Sequence, residues 1–177
     1  ATYLLLDIYD QVLYREPGEQ LSELSRVRKG TEALTYIVSE ITAIQGDLPD
    51  GPASRANKDA ARVLLMKCYP NKGAYANRQT PTFAPADMNQ SVTLADQIIN
   101  SGKYSFTPNF FDNFAPNNSA IGLENIYTQA NTFGNAGPTR DLWKFVSHYN
   151  MRPVDGYNGP ATTGAFYDLF EATDKRR

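Results

Sequence analysis

The chain has 177 residues, of which 41% are hydrophobic and 20% charged, and its formal net charge is −2. These values are typical of a globular domain with its own core and argue against disorder. Lysine and arginine are scattered instead of forming the basic stripe that binds a phosphate backbone, so nucleic acid is excluded as a partner. The longest apolar run covers residues 3–6, far fewer than the roughly 20 residues that span a bilayer.

The first two predicted helices differ in how much of their surface is apolar. Residues 3–13 leave almost no polar face, which predicts a helix packed between neighbours that ends by Pro17 and Gly18. The second helix is predicted to begin after Gly30-Thr31, with Thr31 as its N-cap, and to stop at Gly46. The amphipathic stripe that defines its buried face consists of Leu34, Ile37, Val38, Ile41 and Ile44.

The third predicted helix lies in the stretch of residues 54–69, where the start signal, the period and the stop signal agree best. Asn57 is a suitable N-cap, Asp59 places a negative charge near the positive end of the helix dipole, and Pro70 is predicted to end the helix. The two alanines of its apolar stripe leave room for another helix to approach closely. The stripe consists of Ala60, Ala61, Leu64, Leu65 and Cys68, and we expect Cys68 to pack as a small hydrophobic residue.

A loop and a partner helix are predicted next. Residues 70–84 contain proline, glycine and amide side chains, which predicts a loop or a frayed extension. The partner helix is predicted from Pro85, which suits a first turn, to Ser101 and Gly102, where glycine can adopt the left-handed conformation. Its buried face is predicted to contain Met88, Val92, Ala95 and Ile99.

After Gly102 the helical period is lost, and aromatic residues, asparagine, glycine and proline dominate. Residues 103–160 are therefore predicted to be rich in loops, with strand-like content at residues 123–129. Loops of this size are usually functional or packed by their own aromatic side chains. A last helix is predicted over residues 163–173, with a buried face that contains Phe166, Leu169 and Phe170.

Few residues could carry catalysis. His148 is the single histidine and Cys68 the single cysteine, so a nucleophilic triad is disfavoured and a zinc site is nearly excluded. A structural hydrogen bond is favoured for His148 over a ligand contact, and no cofactor is predicted. Glycoside hydrolysis needs two carboxylates a fixed distance apart. Solvated loop positions are the favoured interpretation of the four candidates, which are Asp112, Glu124, Asp141 and Asp155.

The remaining signal is a group of aromatic residues interleaved with amide and guanidinium side chains. Trp143, Tyr149 and Tyr157 are the best candidates for a stacking surface, because sugar rings present flat C–H faces to aromatic rings. The neighbours that could reach sugar hydroxyls are Asn150, Arg152 and Asn158. From the residues alone, packing of the loops explains these aromatics better than ligand binding does, and Trp143 could equally be a buried anchor.

Several segments, taken in order, carry a family pattern. The most specific is R-A-N-K-D-A-A-R-V-L-L-M-K, residues 55–67. It is preceded by Y-L-L-L-D-I-Y-D and E-A-L-T-Y-I-V-S-E-I-T-A-I-Q-G-D-L-P, and followed by A-D-Q-I-I-N-S-G-K-Y-S-F, F-F-D-N-F-A-P-N-N, H-Y-N, G-Y-N-G-P-A-T-T and F-Y-D-L-F-E-A-T-D-K-R-R. This ordered set resembles the SusD/RagB family of bacterial outer-membrane nutrient-binding lipoproteins.

The resemblance implies a mainly α-helical fold. Residues 1–102 would form tetratricopeptide-like helical repeats, although the sequence shows no clean 34-residue self-similarity. Residues 103–177 would form a loop-rich, SusD-like part with short strands and a terminal helix. The resemblance also implies that the chain is a fragment of a longer protein. Membrane association would then come only through a lipid anchor absent from this sequence, and Cys68 is not the lipidated cysteine.

The resemblance further implies a function at the surface of the outer membrane. The protein would bind a glycan without catalysis and work beside a SusC-like TonB-dependent transporter, with the partner surface on residues 1–102. Contact positions differ among family members, so no contact residue is carried over. Two other classes stay open, namely a helical-repeat scaffold for protein partners and, less favoured, a glycoside hydrolase.

Overall fold

The computed structural model describes residues 1–130, 145, 147–150 and 156–175. Over these residues the chain is mainly α-helical, as predicted. In chain order the elements are α1 (Thr2–Tyr9), β1 (Gln11–Tyr14), β2 (Arg26–Lys29), α2 (Gly30–Ile44), α3 (Lys58–Ala76), α4 (Pro85–Ile99), a 3-10 helix (Phe110–Phe114), α5 (Asn118–Ile121) and α6 (Gly164–Tyr167). The chain divides into two compact units, Ala1–Ser105 and Phe106–Arg177, which are described separately.

The first helix is shorter than predicted, and a β-hairpin follows it. α1 ends at Tyr9 because Asp10 adopts a left-handed backbone conformation, with φ 57°, and its N–H donates to the carbonyl of Leu6 at 2.8 Å. β1 then pairs antiparallel with β2. The prediction of one helix that continues towards Pro17 is therefore wrong.

The core of the first unit joins α1, the hairpin, α2 and α3. Leu6 of α1 is fully buried there, whereas Leu4 and Ile8 are exposed, because α1 packs with one side against α2. The predicted burial of α1 on all sides is therefore not seen. Cys68 is fully buried in this core, as predicted, and burial raises the pKa of its thiol to about 11. The buried cluster consists of Leu6, Val12, Ala33, Leu34, Ile37, Cys68 and Tyr75.

α2 begins without a side-chain cap. Lys29 occupies the N-cap position, and Gly30, with φ 41°, donates its N–H to the carbonyl of Asp10 at 3.2 Å. Thr31 lies inside the helix, so its prediction as the cap is wrong. Burial along the predicted stripe falls towards the C-terminal end, from Leu34 and Ile37, which are buried, through Val38 and Ile41 to the exposed Ile44.

α3 begins as predicted but continues beyond Pro70. Asn57 Oδ1 accepts a hydrogen bond from the N–H of Ala60 at 2.8 Å, so the predicted N-cap is confirmed. The helix then passes through Pro70 and ends at Ala76, so the predicted stop is wrong. The loop predicted for residues 70–84 is confirmed only for residues 77–84. Tyr75 is buried in the core cluster and anchors the part of α3 beyond the proline.

A contact from α4 compensates for the proline in α3. Proline has no N–H, so the carbonyl four residues earlier loses its usual partner. In α3 that carbonyl belongs to Met66, and the hydroxyl of Ser91 in α4 lies 3.5 Å from it, in position to donate. The same hydroxyl lies 3.3 Å from the carbonyl of Asp87. α4 therefore provides a polar group where Pro70 interrupts the hydrogen bonds of α3.

α3 and α4 pack antiparallel, as two polar contacts show. Lys72 Nζ near the end of α3 lies 2.5 Å from Asp87 Oδ1 near the start of α4. Near the other ends of the two helices, Arg62 Nε donates to Gln97 Oε1 at 3.0 Å. This antiparallel helix pair is the arrangement expected of a tetratricopeptide-like unit.

The start of α4 was predicted correctly, but its buried face was not. Pro85 lies in the first turn, as expected. Val92 and Ile99, which the sequence placed on the buried face, are exposed, and the buried positions are instead Leu94 and Ile98. The helix has two overlapping apolar stripes. The stripe that contains Leu94 and Ile98 is the buried one.

A buried carboxylate at the start of α3 holds the segment that follows α4. Asp59 is fully buried and accepts from Arg62 Nη1 at 2.6 Å, from Lys103 Nζ at 3.1 Å and from the hydroxyl of Tyr104 at 3.0 Å. Burial of Asp59 opposes its ionisation, but these donors outweigh burial and lower the pKa of the carboxyl. Asp59 thus ties the end of the first unit to its longest helix.

Gly73 lets the chain cross closely over α3 after that helix has ended. A Cβ at this position would lie 1.8 Å from the carbonyl oxygen of Thr82, which is shorter than any real contact between such atoms. A residue without a side chain is therefore required where residues 77–84 pass on their way to α4.

In the second unit, the strand predicted at residues 123–129 is absent, although all of these residues are described. Hydrogen bonds that involve side chains join this segment to Thr107 instead. The N–H of Leu123 donates to the hydroxyl oxygen of Thr107 at 3.3 Å, and the Glu124 carboxylate accepts from the N–H of Thr107 at 2.9 Å. The prediction of strand-like structure is therefore wrong.

The last helix, α6, is shorter than the predicted residues 163–173. Thr163 Oγ1 accepts from the N–H of Phe166 at 3.2 Å and caps its start. The helix ends at Tyr167, which leaves too few turns to form a buried stripe. Phe166 and Leu169 are exposed and Phe170 is partly buried, so the predicted buried face is wrong.

Candidate functional site

Two short segments of the second unit, residues 145 and 147–150 on one side and residues 156–160 on the other, are joined by backbone hydrogen bonds. The N–H of Asn158 donates to the carbonyl of Ser147 at 2.9 Å, and the N–H of Gly159 donates to the carbonyl of Phe145 at 2.6 Å. The side chains on the two segments include four rings. We call this group, which consists of Phe145, His148, Tyr149 and Tyr157, the aromatic strip.

The glycines of G-Y-N-G allow the two segments to approach. A Cβ at Gly156 would lie 2.1 Å from the carbonyl oxygen of Ser147, and a Cβ at Gly159 would lie 2.4 Å from that of Phe145. Between them Asn158 adopts φ 51°, a left-handed conformation that asparagine tolerates better than most residues. The sequence of this segment is therefore matched to its backbone pairing.

The rings of the aromatic strip contact one another in pairs and leave area exposed. The Phe145 and Tyr157 rings meet edge to face, with centroids 5.4 Å apart, and the His148 and Tyr149 rings are 4.1 Å apart at 33°. Tyr149 and Tyr157 are 58% and 61% exposed. Exposed ring faces beside amide side chains can stack on a flat apolar ligand face and leave hydrogen-bonding groups at its edge.

Four of the six predicted site residues lie on these segments. Tyr149 and Asn150 belong to the first segment, Tyr157 and Asn158 belong to the second, and all four are exposed. The other two, Trp143 and Arg152, lie outside the described residues. Whether any of the six contacts a ligand stays a prediction.

Sequence reasoning missed Phe145 and underrated His148 as part of this surface. The backbone hydrogen bonds of Phe145 with Gly159 and of Ser147 with Asn158 bring Phe145 against Tyr157. The available signal was the G-Y-N-G segment, whose glycines permit a close backbone approach. His148 Nδ1 accepts from the N–H of Asn150 at 3.1 Å. This contact agrees with the structural hydrogen bond that was favoured for His148.

The structure describes two of the four candidate carboxylates, Asp112 and Glu124, and the pKa of Glu124 is shifted downwards. Glu124 accepts from the backbone N–H of Thr107 and from Asn113 Nδ2, both at 2.9 Å, and these bonds, the backbone one first, lower the pKa of its carboxyl. A general acid needs the opposite shift. Two other candidates, Asp141 and Asp155, lie outside the described residues. Within the described ranges, no group of three or more His, Cys, Asp or Glu side chains could hold a metal ion.

A separate cleft of about 330 Å³ lies in the first unit, beside the hairpin and α2. On its wall the Arg28 guanidinium lies between the rings of Tyr14 and Tyr36, at 3.6 and 3.7 Å from their centroids. Arg28 Nη2 also donates to Glu16 Oε1 at 3.1 Å. These contacts hold the hairpin against α2. We therefore assign Arg28 and Glu16 a structural role.

The described part of the chain is mainly helical and exposes aromatic and amide side chains on two hydrogen-bonded segments. Its sequence is similar to that of the Starch-binding protein SusD of Bacteroides thetaiotaomicron, with 27% identity over 119 residues. The similar region covers 66% of this chain and 20% of SusD, so the chain spans about a fifth of that relative. No protein-family model matches the sequence. Among the described residues, none of the helices has the length and apolar character needed to cross a membrane.

Proposed function

We propose that this chain belongs to a glycan-binding protein of the bacterial cell surface, which acts without catalysis and passes its ligand to a TonB-dependent outer-membrane transporter. The observation that carries the proposal is the aromatic strip, where Tyr149 and Tyr157 are exposed beside Asn150 and Asn158. The similarity to a protein named for starch binding supports the same class of ligand.

The chemistry of the strip suits a sugar ring. Stacking on one ring contributes about 0.5–1.5 kcal/mol by analogy with aromatic pairs. The amides of Asn150 and Asn158 can each donate and accept, which matches the hydroxyl groups at the edge of a sugar. On sequence grounds alone we add Trp143 and Arg152 to the same proposed site.

Tyr157→Ala tests the proposed site. A glycan array on the full-length protein first identifies a ligand, and calorimetry then measures its affinity. Tyr157→Ala should weaken binding by about three- to tenfold, the factor expected for one stacking ring. Its melting temperature should change little because the side chain is mostly exposed.

Tyr127→Ala is the matched control, since Tyr127 is 64% exposed in the same unit but outside the aromatic strip. This variant should bind like the wild type. Equal affinities for the two variants would show that the strip is not the site. A wild-type protein that retains no glycan on the array would refute the proposed function itself.

The transporter is proposed as the partner because the sequence motifs resemble a family that works beside one. We place the partner surface within residues 1–102, the helical part of the chain. Purification of the full-length protein from bacterial outer membranes should recover a TonB-dependent transporter with it. Recovery of the protein without any transporter under mild detergent conditions would contradict this part of the proposal.

A scaffold for protein partners is the second candidate function, and the antiparallel pair of α3 and α4 favours it, since such pairs build peptide-binding repeats. A scaffold should bind peptides and ignore sugars on the same array. A glycoside hydrolase is less favoured, because solvated loop positions explain the candidate carboxylates more simply and Glu124 accepts hydrogen bonds from Thr107 and Asn113. Release of reducing ends from any polysaccharide by the purified protein would overturn the non-enzymatic proposal.

A further inference from the structure

The guanidinium of Arg28 uses little of its hydrogen-bonding capacity in holding the hairpin against α2. Its two faces lie against the rings of Tyr14 and Tyr36, which fix its plane. A guanidinium has five N–H donors, and Glu16 Oε1, at 3.1 Å from Nη2, is the only hydrogen-bond acceptor found for Arg28 among the described residues. The Nε and Nη1 groups of Arg28 are therefore available to a further acceptor.

The unpaired donors of Arg28 lie at the cleft of about 330 Å³ beside the hairpin and α2. Arg28 forms part of the cleft wall, although only 15% of its side chain is exposed. Within the described ranges, no buried side-chain nitrogen or oxygen atom lacks a hydrogen-bond partner, so the unpaired nitrogens of Arg28 reach solvent. Because the two rings cover its faces, the guanidinium presents its edge, which is where its N–H groups point.

The charges around this cleft do not cancel. Arg26 forms an ion pair with Glu19, and Arg28 forms one with Glu16. Arg15, which also lines the cleft, donates only to neutral oxygen atoms in the part of the chain that the structure describes. Three guanidiniums thus lie near two carboxylates, and the remaining positive charge favours a ligand with a single negative charge.

The chemistry of the wall further restricts the ligand. A carboxylate matches the planar edge of a guanidinium, because its two oxygens can accept two parallel N–H bonds. The side chains of Thr2, Tyr14 and Tyr36 contribute hydroxyl groups to the same wall, which suits a polar ligand. Pockets for small molecules usually measure about 300–1,000 Å³, so this cleft admits a small ligand only.

We propose that this cleft is a binding site for a small polar ligand that carries one carboxylate. The edge of Arg28 holds the carboxylate, and the unbalanced charge of Arg15 attracts it. The rings of Tyr14 and Tyr36 keep the guanidinium in place before the ligand arrives, so little order is lost on binding. The site lies in the first unit and does not depend on the aromatic strip of the second.

Two variants change the charge of the cleft and leave Arg28, which also holds the hairpin, in place. Thr2→Glu adds a carboxylate to the cleft wall, in the first turn of α1, where the helix dipole favours a negative charge. Glu16→Gln removes a carboxylate and keeps a side-chain oxygen that can accept from Arg28. Thr93→Glu is the control, because Thr93 is exposed on α4 and does not line the cleft.

Calorimetry on the full-length protein at pH 7 compares methyl glucuronide with methyl glucoside, which has a hydroxymethyl group in place of the carboxylate. The wild type should bind methyl glucuronide at least about tenfold more tightly, the factor that one hydrogen bond to a charged group contributes. Acetate is the third probe. Acetate that binds as tightly as the glucuronide would support a site for any small carboxylate, and weaker binding of acetate would support a site for an acidic sugar.

The charge variants should change this affinity in opposite directions. Thr2→Glu should weaken the binding of methyl glucuronide by about tenfold or more, and Glu16→Gln should strengthen it severalfold, because a carboxylate near the ligand has been added or removed. Thr93→Glu should bind like the wild type.

Equal affinities of the wild type for the two glycosides would overturn the inference, as would a folded Thr2→Glu variant with wild-type affinity for methyl glucuronide. If Thr2→Glu does not fold, Glu16→Gln decides, and no gain in its affinity would overturn the inference. None of these results bears on the proposed glycan site, since Tyr149 and Tyr157 are unchanged in every variant.

Discussion

Replacing the buried carboxylate of Asp59 should destabilise the helical unit markedly. Asp59→Asn keeps the shape but removes the charge, and its amide nitrogen must face a donor, either Arg62 on one side or Lys103 and Tyr104 on the other. The least unfavourable choice turns the oxygen to Arg62 and lets Tyr104 accept, which leaves Lys103 without this partner. One hydrogen bond to a charged group contributes about 1.5–3 kcal/mol.

Solvent reduces the cost, because the side chains of Arg62 and Lys103 are 21% and 36% exposed and can rehydrate. We therefore expect a loss of about 2 kcal/mol in the free energy of unfolding, measured by urea denaturation at pH 7. Asp50→Asn is the control. Asp50 is 70% exposed and lies 3.4 Å from the same Lys103, so its loss should cost less than about 0.5 kcal/mol.

The pH dependence follows from the lowered pKa of Asp59. A carboxyl whose pKa is lower in the folded state stabilises the fold fully above its unfolded pKa, about 3.9, and loses this effect as the pH falls through the folded value. The wild type and Asp59→Asn should therefore differ most near neutral pH and converge in strong acid. Equal losses for Asp59→Asn and Asp50→Asn at pH 7, or parallel pH profiles, would refute the role of the buried carboxylate.

Two further predictions concern the same unit. Gly73→Ala should lower the melting temperature and cost about 2 kcal/mol or more in the free energy of unfolding, because the new Cβ would lie 1.8 Å from the backbone oxygen of Thr82. Gly46→Ala is the control. It should be close to neutral, since its Cβ would meet nothing within 4 Å. Cys68 should resist iodoacetamide at pH 8 and react after denaturation, since it is fully buried and its thiol has a pKa of about 11. Rapid labelling of the native protein would contradict this prediction.

Helices with agreeing local signals were predictable from the sequence, and the hairpin was not. The N-cap residue Asn57 and the apolar stripe that follows it predicted the start of α3 correctly. Residues 3–13 are apolar on nearly every side, so their pattern does not distinguish a helix from a helix followed by a strand. The break lies in the left-handed conformation of Asp10, and the strand that follows depends on pairing with residues distant in sequence. The face of α4 likewise depends on contacts with α3 that periodicity does not contain.

The composition of the candidate site was predictable, whereas its construction was not. Aromatic and amide side chains near Tyr149 and Tyr157 indicated a surface, and both tyrosines are exposed in the structure. The sequence did not show that Phe145 and Ser147 hydrogen-bond to Gly159 and Asn158, because such pairing of irregular segments follows no hydrophobic period. The glycines at 156 and 159 were visible, but glycine also marks ordinary turns.

The proline in α3 makes the two helices of the antiparallel pair depend on each other during folding. Met66 obtains a side-chain donor from Ser91 only after α4 has docked, so the turns of α3 beyond Pro70 gain this support late. Removal of this donor by Ser91→Ala should therefore increase native-state hydrogen exchange in the turns of α3 beyond Pro70.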